Sequence, residues 1–217
     1  MNPKLASNLS LGAFALLLVI QTAPAILTGV ASTRRLEQGT PIELAVVPRD
    51  PRDLFKGDYS VLAYELGRHD GPVDADAWKS VGPCRSAKEV CHVRQGTPVY
   101  AELDPVTGDL HRMTRLSFVR PETGIRYIRG ETIAGTLRQG ASQTLPAKGC
   151  PDGAVCFTGT LTYGIERFYG PQGEPAKVDR LPRDRLRVRV RLGDDGRALL
   201  DAILLDGTER ARTARLW

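Results

Sequence analysis

The sequence predicts a mainly β protein, an antiparallel sandwich or partly open barrel, preceded by one N-terminal transmembrane helix. Three observations carry that expectation. Residues 9–31 hold no charged side chain. In 185–192 apolar and cationic residues alternate strictly, which is the period-two pattern of a half-buried strand. After residue 40 no long helical periodicity occurs; short apolar stretches recur at intervals of about 8–12 residues between Gly, Pro and Asp turn signals. At 217 residues the chain can bury one sizeable core and carry an appendage. The expected divisions are a short N-terminal segment (1–8), an anchor (9–31), a linker (32–40), a β-rich domain (41–207) and a basic tail (208–217).

The uncharged run matches the ~20 residues that a spanning helix needs. Lys4 precedes it, and Arg34 and Arg35 follow. A signal peptide is the competing reading, with Gly29, Val30 and Ala31 as small residues before a cut at Ser32. Signal-peptide cores span ~7–15 residues, so length favours the anchor, although Gln21 and Pro24 split the run. The flanking cations barely choose an orientation.

Further along, 42–47 reads as a strand, and 68–82 as a polar stretch broken by Gly71-Pro72, with a helical turn at 74–79. Strands are expected at 97–103, 110–119 and 125–133, with turns at 104–109 and 121–124. Residues 148–153 read as a loop, 155–169 as a long strand or strand pair, and 170–175 as a turn. In 185–192, Leu186, Val188, Val190 and Leu192 should face the core, and Arg185, Arg187, Arg189 and Arg191 should face out. A turn at 193–196 returns the chain through 197–205.

The stretch 47–66 organises the rest. It runs from a proline-bearing loop through Lys56-Gly57-Asp58 into an alternating segment. Tyr59, Val61 and Ala63 should share one face, and Ser60, Leu62 and Tyr64 the other. Gly57-Asp58-Tyr59, Leu62 and Tyr64 together resemble the signature of the bacterial GDYXXLXY family, and 48–53 resembles its lead-in. A second block, 163–169, resembles that family's later YGIE segment, though Gln172 stands where an acidic residue is expected. The resemblance implies a membrane-anchored protein. The family's activity is uncharacterised, so no catalytic residue carries over.

The four cysteines allow three pairings. Close spacing favours Cys84 with Cys91 and Cys150 with Cys156, and disulfides imply an oxidising compartment. That places the C-terminal domain outside the cytoplasm. His92 beside Cys91 raises a zinc site, but no C-x-x-C supports it. His69, His92 and His111 stand apart and read as surface residues, so no metal or cofactor is expected. With 30 basic and 25 acidic residues the chain is mildly basic. It shows no basic run interleaved with aromatics, which argues against nucleic acid.

Candidate partner- or ligand-binding residues are Arg49, Asp50, Arg52, Asp53, Asp58, Tyr59, Tyr64 and Glu166. A pairing of Glu166 with Arg52 or Arg49 would join the two blocks. Tyr59, Tyr64, Arg52 and Trp78 are candidate anchors for a partner, because interface energy concentrates in aromatic and arginine side chains. No catalytic residues are assigned. The expectation is a protein of the bacterial inner membrane with its domain in the periplasm. It would act as a non-enzymatic accessory or assembly subunit beside another membrane protein. One alternative is an envelope hydrolase, using Asp58 and Glu166, or Ser60 with Lys56, Lys79 or Lys177 as base. Another is a glycan- or lipid-headgroup-binding module, with the arginine stripe resting on anionic lipid.

Overall fold

The computed structural model describes residues 3–48, 59–80, 90–139 and 150–213. The chain begins with α1 (Pro3–Gln38), a continuous helix that passes through Pro24. Proline lacks an N–H to donate, but Pro24 still supplies its carbonyl to Thr28 Oγ1 at 2.7 Å. Phe14, Leu17, Val19, Ile20, Ile26 and Leu27 are all at least half exposed. Apolar side chains therefore surround the helix instead of forming one stripe for a core. Leu16–Arg34 is long and apolar enough to cross a membrane.

β1 (Thr40–Ala45) follows within two residues of the helix. The signature segment forms β2 (Tyr59–Val61), and β3 (Arg68–Val73), α2 (Ala77–Ser80) and β4 (Cys91–His92) come next. Three long strands then run in succession: β5 (Pro98–Thr107), β6 (Leu110–Ser117) and β7 (Tyr127–Gln139). β8 (Val155–Thr162), β9 (Arg167–Tyr169) and the helix α3 (Glu174–Asp179) precede a last meander. That meander is β10 (Leu186–Leu192), β11 (Ala198–Leu205) and β12 (Thr208–Arg212).

Among the described residues ten strands make one sheet, and β2 and β9 make a second. Part of the large sheet closes on itself in the order β3-β6-β5-β7-β8-β3, a five-stranded barrel. Closure removes sheet edges that would otherwise expose unpaired backbone. Most neighbours are antiparallel; β6 runs parallel to both β1 and β3. Through β1 the barrel carries the meander β1-β10-β11-β12 as an open flap. One core runs through both parts. Val99, Ala101, Leu116, Ile128, Leu137 and Phe157 fill the barrel side, and Ile42, Leu44, Val188 and Val190 the flap side.

The alternation in β10 appears as expected: Leu186, Val188, Val190 and Leu192 are buried, and the intervening arginines are not. Several expectations need correction. The polar stretch from Arg68 is β3, a barrel strand paired with β8 along its whole length. Its other edge meets β6 only at Val73, so Pro72 sits where a missing donor is tolerated. β5 runs on through Asp104 and Pro105 to Thr107, because register shifts on either side of that pair absorb the proline. The turn is only Gly108-Asp109. Thr208–Arg212 is not a loose tail, since it pairs with β11 as β12. His111 is not a surface residue. It is buried, with Nδ1 2.7 Å from Asp109 O and Nε2 accepting from Arg126 Nη1 at 2.7 Å. His69 is half-buried and stacks on Phe157, with ring centroids 6.4 Å apart; burial lowers its pKa despite the nearby Pro72 and Gly71 carbonyls. Trp78 packs against the core.

Cys150 and Cys156 form a disulfide that ties the loop to the start of β8. Cys91 is also disulfide-bonded. Cys84 lies outside the described residues.

Candidate functional site

The two signature blocks meet in the small sheet. Tyr59, Ser60 and Val61 pair with Tyr169, Phe168 and Arg167. Leu62 N then donates to Glu166 O at 2.8 Å. Tyr64 adds an isolated bridge to Val46, just past the end of β1, and its hydroxyl donates to Ile165 O at 2.7 Å. Backbone pairing and one phenol therefore join segments about a hundred residues apart. Burial of a side chain such as Leu62 contributes about 1.5–3 kcal/mol to that joint.

The period-two reading holds. Ser60, Leu62 and Tyr64 point inward and are buried, while Tyr59, Val61 and Ala63 are partly exposed. Inside, Ser60 is 0 % exposed and its hydroxyl donates to Asp179 Oδ1 at 2.6 Å. Arg183 Nη2 donates to the same oxygen at 2.8 Å. Asp179 ends α3, a helix entered through left-handed Gly173 and Pro175, and Arg183 lies one turn further on. Glu166 accepts from Tyr163 N at 2.6 Å through Oε1, closing the turn at Gly164, where φ is +78° and a side chain would be strained. Burial holds the Tyr64 phenol well above its ordinary pKa; the Glu166 charge adds to this and Arg183 opposes it. Burial and then Glu166 likewise push Tyr163 up. The Tyr163 hydroxyl has no hydrogen-bond partner among the described residues.

This interior is a tie, not an exposed reactive centre. Ser60 is closed off from solvent, and its hydroxyl is committed to a carboxylate already paired with arginine. Lys79 and Lys177 are exposed. Among the described residues no group of three or more His, Cys, Asp or Glu is placed to hold a metal.

The outward face differs. Tyr59 and Tyr169 pack ring to ring at 5.7 Å, tilted by 44°. The Arg167 guanidinium carbon lies 5.4 Å from the centre of the Tyr59 ring, a cation–π arrangement. Tyr169 is 53 % exposed.

Of the residues singled out in the sequence, Tyr59, Tyr64 and Glu166 converge here. Arg49, Asp50, Arg52, Asp53 and Asp58 lie outside the described residues, as does any pairing of Glu166 with Arg49 or Arg52. Asp179, Arg183, Arg167 and Tyr169 escaped sequence reasoning as members of one site. Only the i,i+4 spacing of Asp179 and Arg183 hinted at a pair. The arginine stripe carries its own counter-charges. Arg187 and Arg189 flank Glu43 at 3.7 and 3.3 Å. Arg191 and Arg212 flank buried Asp201 at 3.2 and 3.4 Å. Arg185 pairs with Asp206.

Fold and site together define a β-barrel domain carried behind an apolar N-terminal helix, with a locked two-strand joint at its signature. The chain belongs to the family described as GDYXXLXY protein, which matches residues 21–203, most of its length. Comparison with the curated proteins and with solved structures gives no match.

Proposed function

We propose that the chain is a single-pass protein of the bacterial inner membrane, with its β domain in the periplasm. There it serves as a non-enzymatic accessory or assembly subunit of a membrane protein complex. The observation that carries this reading is the division of labour in the signature. Its inward residues are consumed in holding β2, β9 and α3 together. Its outward residues, Tyr59, Arg167 and Tyr169, form a stacked and accessible patch. Tyr and Arg are the side chains that dominate interface energies, and the mutual stacking of these three holds them in place before any partner arrives, which lowers the cost of ordering them. The disulfide supports the compartment and the apolar helix supports the anchor.

The test is affinity purification of the full-length chain from its native membranes in mild detergent, with mass spectrometry. A Tyr59→Ala/Tyr169→Ala variant runs beside it, and thermal melting checks its fold. The expected outcome is one membrane protein recovered in stoichiometric amount with the wild type and depleted at least ~30-fold with the folded variant, the loss of a hot spot of about 2 kcal/mol. Ser60→Ala serves as control: it lowers the melting temperature but leaves recovery intact at temperatures where the domain is folded. Absence of a stoichiometric partner, or its retention by the double variant, sinks the proposal.

A further inference from the structure

A cleft lies away from the signature, at the end of the domain nearest the helix. It has a volume of about 860 Å³. The connection between β6 and β7 forms one wall, and Thr40 with the β10–β11 turn forms the other. We infer that this cleft receives the headgroup of a primary-amine phospholipid from the leaflet in which α1 ends. The inference rests on the membrane-anchored reading above.

Position is the first argument. The apolar segment of α1 ends at Arg34, and the helix continues to Gln38. Four residues at 1.5 Å each advance about 6 Å along the axis. The headgroup zone on each side of a bilayer is about 5–7 Å deep. Thr40, two residues beyond the helix, lines the cleft. The Thr40 edge of the cleft therefore lies at headgroup level when α1 spans a membrane.

Composition is the second argument. The lining contains the carboxylates of Glu102, Asp104, Glu122 and Asp194 and the guanidiniums of Arg120 and Arg126. Glu102 is paired with Arg115 at 3.9 Å, which leaves Asp104, Glu122 and Asp194 against two guanidiniums and still disfavours a purely anionic headgroup. A zwitterion satisfies both signs, its phosphate toward the arginines and its ammonium toward the acids. Arg120 donates through Nε to Tyr127 Oη at 2.9 Å and Arg126 through Nη1 to His111, so one edge of each guanidinium is positioned by the protein. Carboxylates accept hydrogen bonds from a primary ammonium but not from a quaternary one, which favours aromatic faces instead. Tyr127, the aromatic residue of the lining, already carries the Arg120 guanidinium 6.0 Å from its ring centre.

The wall between β6 and β7 supplies the third argument. Val119 and Ile125 are 49 % and 44 % exposed, and each adjoins an arginine of the cleft. Apolar side chains beside cationic ones suit a surface that rests at the boundary between headgroups and acyl chains.

The test uses the full-length protein in detergent, titrated with phosphatidylethanolamine, phosphatidylcholine or phosphatidylglycerol of identical acyl chains and read by native mass spectrometry. Phosphatidylethanolamine adducts should survive activation at about tenfold higher occupancy than either other lipid. Glu122→Gln/Asp194→Asn, both at exposed positions, should bring phosphatidylethanolamine down to the phosphatidylcholine level. Arg120→Gln should lower adducts of all three. Lipids merely coating α1 respond to none of these changes. Equal retention of the ethanolamine and choline lipids, preference for the glycerol lipid, or indifference to the variants overturns the inference. Alkaline carbonate extraction of the native membranes separates the two failures. A chain released by carbonate removes the anchor reading and this site with it; a retained chain without lipid preference removes this site alone.

Discussion

Tyr64 and Tyr163 are both buried phenols near Glu166, but among the described residues only Tyr64 finds an acceptor, Ile165 O. Tyr64→Phe strands a buried carbonyl and should cost about 1–3 kcal/mol, whereas Tyr163→Phe removes an unsatisfied hydroxyl and should be neutral or stabilising. Urea titration of the domain measures both, and a Tyr163→Phe loss as large as that of Tyr64→Phe contradicts this account. The two phenols also set a pH dependence. Both have pKa values raised by burial above the ordinary phenol value of about 10. Between the unfolded and folded values the native state binds more protons than the unfolded one, so stability is full below pH ~10 and falls as pH rises above it. Either Phe variant should flatten that alkaline decline. At this scale the sequence was partly legible. Period two alone put Ser60, Leu62 and Tyr64 on one face, and the fold shows that face to be the buried one. Period two could not show that the Ser60 hydroxyl meets Asp179, because 119 residues separate them and only the folded chain brings them together.

β7 and β8 cross closely where Gly135 faces Gly159. A Cβ on Gly159 would lie 2.5 Å from Ala134 O and would also run into the edge of the Phe157 ring. Neither neighbour can yield easily, as Phe157 is wholly buried between His69 and Phe118. Gly159→Ala should therefore destabilise the barrel by about 1–3 kcal/mol through overpacking, seen as a lower urea midpoint with an unchanged slope. A midpoint equal to wild type would mean that the strands separate without strain. Elements differed in legibility for physical reasons. β10 was plain, because one face is buried and the other bears arginines. β3 was hidden, because its His-Asp-Gly-Pro run carries breaker residues that a half-open edge tolerates. β12 was hidden, because Thr208 to Arg212 is a charged edge strand. Charge there discourages pairing with other chains and also erases the apolar alternation by which strands are recognised.

At the scale of the whole molecule, two features point to the same arrangement by independent physics. The large apolar side chains described in α1, from Phe14 to Leu27, are exposed on several faces of the helix, which water does not favour and a bilayer does. A disulfide such as Cys150–Cys156 is favoured in an oxidising compartment. The cations flanking the helix could not choose an orientation, since Lys4 on one side nearly balances Arg34 and Arg35 on the other. In the proposed arrangement the cysteines choose it, because the domain and the disulfide lie on the same side of the helix. Protease added to spheroplasts should therefore digest the β domain and leave only a short membrane-held N-terminal fragment. The intact chain from unbroken cells should migrate differently before and after reduction. The disulfide also closes a short loop, for which chain entropy gives about 2 kcal/mol, so the reduced domain should be digested faster than the oxidised one. A domain that is protected in spheroplasts and digested only after lysis would reverse the topology. The patch of Tyr59, Arg167 and Tyr169 would then face the cytoplasm, and any partner would have to be sought there.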